Sequence, residues 1–196
     1  MGELIVGLDA GHGGDDKGAT ANGIVEADWN FQFCEGLWED LDALGFRPTL
    51  LRTRHDEPVA LMERGRRSKE NGCSIVLNIH VNAMAEHPEW HGLTTYHWPG
   101  NQLAREVGNT MMRAAPKPLY KPGWNSLSCD DSLGTWIQNP RAVLRVHECP
   151  AVLVEVGYCT NEADAAALND PAVVAGLVSM VGAGLARFCY LKEHTT

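Results

Sequence analysis

Ser74-Ile75-Val76-Leu77-Asn78-Ile79-His80 is the stretch that decides the fold. It is a short aliphatic run bounded upstream by Asn71-Gly72, too short for a typical core helix and well suited to a buried strand. Side-chain alternation puts Asn78 and His80 on one face, opposite Ile79. A polar residue at the carboxyl end of a central strand marks the place where open α/β sheets form their crevices.

Working outward, Pro58 to Asn71 is a helix candidate, and Arg47 to Thr53 reads as a strand despite Pro48. Ile24 to Leu44 carries Phe33, Leu37, Leu41 and Leu44 at helical spacing, with Trp29 near its start and Gly45 as its stop. Residues 3–9 form a first strand, and the glycine-rich stretch from Ala10 to Gly23 reads as a loop. Strand, helix, strand, helix, strand in that order is an α/β pattern.

Downstream, residues 83–100 are irregular, with a short strand from Gly92 to Tyr96. Asn101 to Ala115 is a helix candidate, and Ala114 to Asp131 is expected to be a surface loop near a groove. Val143 to Val146 and Ala151 to Val156 read as two strands around a Cys-Pro turn. Glu162 to Leu168 and Pro171 to Tyr190 complete the helices, with Pro171 in a first turn. No repeat or linker divides the chain, so residues 1–196 are expected to form one domain.

Composition narrows the function classes. Hydrophobic residues make up 44% and charged residues 21%, values near those of ordinary globular domains. The 25 acidic and 16 basic residues give a net charge of -9, which argues against general affinity for nucleic acid or anionic membrane. The run Arg64, Arg66, Arg67, Lys69 is interleaved with Glu63 and Glu70 and reads as a solvated helix face. The six cysteines contain no CxxC pair and are expected to be reduced and structural. The N-terminus lacks the pattern of a signal peptide, and no uninterrupted apolar run approaches the length of a membrane span. Synthesis in the cytoplasm, no stable membrane insertion and a monomer are therefore expected.

Four residues stand out for chemistry. His12 sits in Asp9-Ala10-Gly11-His12-Gly13-Gly14, where the glycines leave space beside the imidazole. Glu26 opens the following helix, either favouring its positive end or pointing back toward His12. His80 is either a hydrogen-bonded strand-end residue or a ligand, with Asn82 close enough to orient substrate. Glu155 interrupts the apolar run Ala151-Val152-Leu153-Val154-Glu155-Val156, where a charge is costly unless it is paired or used. Its alternatives are a buried pair or a general base. Two histidines and one carboxylate for a metal, plus a separate carboxylate for proton transfer, make a coherent hydrolase set.

Other groupings are weaker. His87, His91 and His97 lie in an irregular segment with Trp90 and Trp98, as a cleft lining or a second metal site. His147-Glu148-Cys149 invites a nucleophile reading, but adjacent residues in an extended segment point in different directions. His55-Asp56 suits a loop with salt-bridge or substrate contacts.

Five blocks occur in order: LDAGHGG at 8–14, VEADWN at 25–30, LLRTRHDEPVALMERGRRSKENG at 50–72, CSIVLNIHVNA at 73–83 and PAVLVEVGYCTNEADAAAL at 150–168. In these blocks the chain resembles the zinc N-acetylmuramoyl-L-alanine amidases of bacteria and phages. The resemblance implies a three-layer α/β domain with a central six-stranded, mostly parallel mixed sheet flanked by helices. It implies Zn2+ held by His12, Glu26 and His80, with Glu155 as the catalytic carboxylate. The implied substrate is peptidoglycan or a muramyl peptide, cut between the lactyl group of N-acetylmuramic acid and L-alanine. Asn82, Arg141 and Arg145 are candidates for substrate contact, as are Trp90, Trp98, Trp124 and Trp136 for a glycan or peptide groove.

The chain departs from the family pattern at Asn78, Val81 and Tyr158, where Ser, Ala and Phe are frequent. No long helix after His80 resembles the autoinhibitory insert of the division-associated members. A lytic, endolysin-like enzyme reaching the wall after holin-type release, or one delivered by a phage tail or as an injected toxin, fits these features. No separate wall-binding domain is recognised. The competing readings are a zinc peptidase acting on another stem-peptide bond and a noncatalytic wall-binding protein on the same scaffold.

Overall fold

The computed structural model describes residues 4–121, 127–128 and 141–194. In chain order the elements are β1 (Ile5–Ala10), β2 (Thr20–Ala21), β3 (Ile24–Val25), α1 (Glu26–Ala43), β4 (Arg47–Leu50), α2 (Leu61–Glu70) and β5 (Ile75–Asn82). They continue with β6 (Thr94–His97), α3 (Gln102–Ala114), a 3-10 turn at Lys117–Leu119, β7 (Leu127–Ser128), α4 (Arg141–Arg145), β8 (Ala151–Tyr158), α5 (Glu162–Leu168) and α6 (Pro171–His194). One six-stranded sheet runs in the order β4-β1-β5-β8-β6-β7. The first four strands are mutually parallel, while β6 runs antiparallel to β8 and parallel to β7.

The pleat sorts each strand between two unequal cores. Val6 and Leu8 of β1, Ile75, Leu77 and Ile79 of β5, and Val152 and Val154 of β8 join the larger cluster. Residues from α1, α3, α5 and α6 cover them, including Leu37, Met111, Leu168 and Leu177. Each fully buried aliphatic side chain there contributes roughly 1.5–3 kcal/mol of transfer free energy. The opposite face carries Val76, Ala151 and Leu153 under Val143 and Leu144 of α4, with Tyr96 of β6. Continuing that face toward the carboxyl ends of β5 and β8 leads to Asn78, His80 and Glu155.

Long, apolar α6 passes the length and composition test for crossing a membrane, with a mean hydropathy of 1.8 over its best window. Its Leu177, Met180, Val181, Leu185 and Phe188 are fully buried in the larger core. That packing accounts for much of its apolar composition.

Three expectations change. Val143 to Val146 is not a strand: Val143 and Leu144 belong to the short helix α4. β8 already pairs with β5 on one side and β6 on the other, so no edge of it is left for another strand. The helix begins at Glu26 rather than Ile24, because Ile24 and Val25 pair with Thr20 and Ala21 across an Asn22-Gly23 turn with φ 47° and 78°. Asn-Gly is the dipeptide that favours such a tight hairpin turn, so the signal was present in the sequence. The strand from Arg47 stops at Leu50, and Arg52 turns fully into the interior.

Candidate metal centre

The carboxyl ends of the parallel strands converge on one cleft of about 560 Å³. β1 runs into Gly11 and His12, β5 supplies His80, and β8 supplies Glu155 directly opposite His80 in the strand register. Glu26 enters as the first residue of α1.

His12 has φ 60°, a left-handed conformation that a β-carbon disfavours by about 1–2 kcal/mol. Two buried arginines hold its loop. Arg64 donates to the carbonyls of Ala10 and His12, both at 2.8 Å, and pairs with the Asp9 carboxylate. Arg52 donates to the carbonyls of Ala27 at 2.7 Å and Ala10 at 3.3 Å, and its guanidinium lies 4.8 Å from the centre of the Phe31 ring. These bonds satisfy carbonyls that the turning chain would otherwise bury without partners.

Glu26 Oε1 lies 3.2 Å from His12 Nε2 and 2.9 Å from His80 Nδ1. The ligand atoms of these three residues fall within 4.8 Å of one another, the one such group of three or more His, Cys, Asp or Glu side chains among the described residues. Glu26 also accepts from the backbone N–H groups of Ala19 at 2.8 Å and Val81 at 3.2 Å. Asp16 Oδ2 sits 2.8 Å from His12 Nδ1, which directs Nε2 toward the centre.

The surroundings are shaped for these side chains. A β-carbon on Gly11 would lie 2.3 Å from His80 Cε1. One on Gly18 would lie 2.6 Å from Glu26 Oε2 and 2.7 Å from His12 Cδ2. Neither separation is compatible with a larger residue unless the histidines or the carboxylate move.

The charges point the same way. Burial acts against ionisation of Glu26, but hydrogen bonds to His12 and His80 win and hold its carboxyl well below the usual range. Burial also opposes charge on His12, yet Glu26 and Asp16 push its pKa up to about 9. Surroundings that favour a proton there also favour a cation. Burial, with Glu26 adding to it against His80 and His12, pushes Glu155 up to about 7. Glu155 Oε2 is buried with no hydrogen-bond partner. A three-ligand His/Glu/His donor set beside an unpartnered carboxylate oxygen fits a divalent metal with an open coordination position.

Other expected residues divide. Asn82 lines the cleft, with its Oδ1 accepting from the Ala83 N–H. Arg145 is exposed, with its guanidinium 5.8 Å from the centre of the Trp98 ring, and it is not among the cleft-lining residues. The side chain of Arg141 lies outside the described residues, as do Cys129, Trp124 and Trp136. Trp90 is exposed and stacks on His87 at 5.1 Å, and His97 is buried with Nδ1 3.1 Å from the Trp98 carbonyl oxygen. His55 pairs with Asp28 at 3.0 Å, and Glu148 with Lys69 at 2.7 Å. The thiols of Cys34, Cys73, Cys149, Cys159 and Cys189 are free.

Arg64 corrects the reading of a solvated basic face: it is 6% exposed and serves the site, while Arg66 remains exposed with Glu63 and Glu70. The roles of Asp16 and Arg52 were also missed. Asp16, four residues after His12, was visible within a glycine loop; nothing local marked Arg52.

A sequence profile described as N-acetylmuramoyl-L-alanine amidase matches residues 6–187. The chain belongs to this amidase family. The chain is 30% identical over 173 residues to N-acetylmuramoyl-L-alanine amidase LytC of Bacillus subtilis (strain 168), covering 86% of this chain and 32% of LytC. It is 26% identical over 195 residues to the endolysin of Bacillus phage SPP1, covering 97% of this chain and 68% of the endolysin. The amidase thus spans about a third of LytC and about two thirds of the endolysin. The solved amidase AmiC2 of Nostoc punctiforme superposes with a TM-score of 0.79 at 26% identity, over 96% of this chain and 98% of that one.

Proposed function

We propose that this amidase hydrolyses the amide between the lactyl group of N-acetylmuramic acid and the L-alanine of a peptidoglycan stem peptide. His12, Glu26 and His80 would hold a zinc ion, and Glu155 would act as general base. The observation that carries this reading is Glu155, whose buried, unpartnered Oε2 stands across the strand pair from His80. A structural carboxylate at that depth would be paired.

Zinc held by His12, Glu26 and His80 would supply Lewis-acid polarisation of the scissile carbonyl and a lowered pKa for the attacking water. Glu155 accepts the water proton and returns it to the alanine nitrogen as the C–N bond breaks. Burial raises its pKa in the metal-free centre, and a zinc ion beside it would bring the value back down. Asp16 fixes the His12 ring so that Nε2 faces Glu26 Oε1, where it would be available as a ligand. Asn82 lines the cleft as a candidate donor to substrate, in a cleft also lined by the apolar Val59, Leu61 and Val143. Similarity to a phage endolysin supports a lytic role.

Digestion of purified sacculi tests the assignment. Release of intact stem peptides with a new alanine N-terminus is expected, with loss of activity on chelation and recovery on adding zinc. New amines elsewhere in the stem would instead assign a peptidase, and persistent activity after rigorous metal removal would reject the metal mechanism.

A further inference from the structure

Asn78, fully buried, lies two residues before His80 on the same face of β5. Its Oδ1 is 3.1 Å from Nε2 of His147, a residue 8% exposed. The other His147 nitrogen, Nδ1, is 2.9 Å from the hydroxyl of Ser68 on α2, itself 1% exposed. Asn78 Nδ2 donates to the Val152 carbonyl of β8 at 3.4 Å. That bond fixes the amide so that its oxygen faces the histidine, and Nε2 must therefore carry the proton. The Ser68 hydroxyl has two acceptors in reach, His147 Nδ1 and the Gly65 carbonyl at 2.8 Å. In a neutral ring, the hydroxyl proton goes to Nδ1. Burial disfavours the imidazolium and lowers the His147 pKa, with Arg64 also lowering it against Asp9.

The helix that supplies Ser68 also supplies Arg64, one turn earlier. Arg64 holds the His12 carbonyl. Between them Gly65 sits against the chain leading to His147: a β-carbon there would lie 2.3 Å from the Val146 carbonyl oxygen. One turn of α2 therefore supports both histidines of the centre, His12 through Arg64 and the His80 strand through Ser68, His147 and Asn78.

We infer that His147 is a positioning residue for the metal centre. As a neutral ring donating to Asn78 and accepting from Ser68, it fixes the carboxyl end of β5 against α2 and thereby sets His80 relative to His12. This rests on the proposed metal-dependent function. His147 itself touches neither metal ligand nor substrate.

The test measures zinc affinity by competition with a chromophoric chelator, the visible spectrum of the Co2+-substituted protein, and thermal stability of the metal-free protein. Wild type, His147→Leu, His147→Gln and Ser68→Ala are compared. His147→Leu should weaken zinc binding by up to about tenfold, less than the about 10–100-fold typical of residues bonded directly to a ligand, and shift the Co2+ spectrum. His147→Gln, which keeps one donor and one acceptor, should recover most of both. Ser68→Ala, a milder change that keeps the ring, should give a smaller shift in the same direction. In wild type, nitrogen NMR should show the His147 ring protonated on Nε2 alone. Lower thermal stability with zinc affinity and the Co2+ spectrum unchanged in His147→Leu and Ser68→Ala would overturn the proposal and leave a packing role. So would an Nδ1-protonated neutral ring. If wild type binds no zinc, the metal-dependent reading fails first and the inference with it; if wild type binds zinc and the variants bind it equally well, the inference alone fails.

Discussion

The two faces of the sheet follow different rules. Under α1, α3, α5 and α6, strand residues such as Leu8, Leu77 and Val154 are aliphatic and fully buried. Under α2 and α4, the corresponding column begins with Val76, Ala151 and Leu153 and then becomes polar: Asp9 with Arg64, Asn78 with His147 and Ser68, and finally His80 beside Glu155. Asp9 Oδ2 and Glu155 Oε2 are buried without hydrogen-bond partners, an arrangement that a stability-driven core avoids. The first face supplies cohesion. The second gives up part of the possible cohesion for geometry, as expected if the candidate metal centre must be held at fixed angles by directional bonds.

This contrast can be broken by experiment. Glu155→Gln should reduce turnover by about 10²–10⁴-fold while zinc content stays stoichiometric, as read by single-turnover kinetics and metal analysis. Near-normal hydrolysis would remove Glu155 from the chemistry. On the other face, Leu177→Ala should reduce folding stability by about 2–5 kcal/mol in denaturant titration, with zinc affinity unchanged in the folded protein. A comparable loss of zinc affinity would mean the two faces are not separable.

Gly11→Ala should do the reverse, because its new methyl group would strike His80 rather than empty space. Zinc affinity should fall about 10–100-fold, with a smaller change in the unfolding midpoint of the metal-free protein. Unaltered affinity would show that the His80 ring has room to retreat.

The smallest effect concerns Glu57, which accepts from Arg67 Nη2 at 2.7 Å and the Thr53 N–H at 2.8 Å. The Arg67 bond, outweighing burial, holds its pKa at about 2 instead of 4.5. A carboxylate depressed on folding stabilises fully above its unfolded value, and that contribution disappears as pH falls through the folded value. The midpoint difference between wild type and Glu57→Gln should therefore be constant near neutrality and shrink between pH 4.5 and about 2. A difference that grows on acidification would contradict the assigned pairing.

The elements on the apolar face were the most legible in sequence. Helical spacing of Phe33, Leu37 and Leu41 and the aliphatic runs of β5 and β8 are local patterns, and most of these elements appear within a few residues of their expected bounds. α4 was misread because Val143 and Leu144 are apolar in either conformation, and only the strand pairing of β8 excludes the extended one. At the site, unusual residues in unusual places were visible: a histidine among glycines, a histidine at a strand end and a glutamate inside an apolar run. Their supports were not. Arg52 and Arg64 look like ordinary surface cations in sequence, since the carbonyls of Ala10, His12 and Ala27 that they satisfy lie 25 to 54 residues away.

By itself, then, the sequence carried an α/β alternation and singled out His12, Glu26, His80 and Glu155 as candidates for chemistry, because periodicity and local residue chemistry are short-range properties. Only the tertiary structure decided that His80 and Glu155 stand opposite each other, that Gly11 and Gly18 leave room for His80, Glu26 and His12, and that one turn of α2 reaches both the His12 carbonyl and His147. Those are long-range relations of register and distance. They exist only when parallel strands separated by tens of residues are brought side by side.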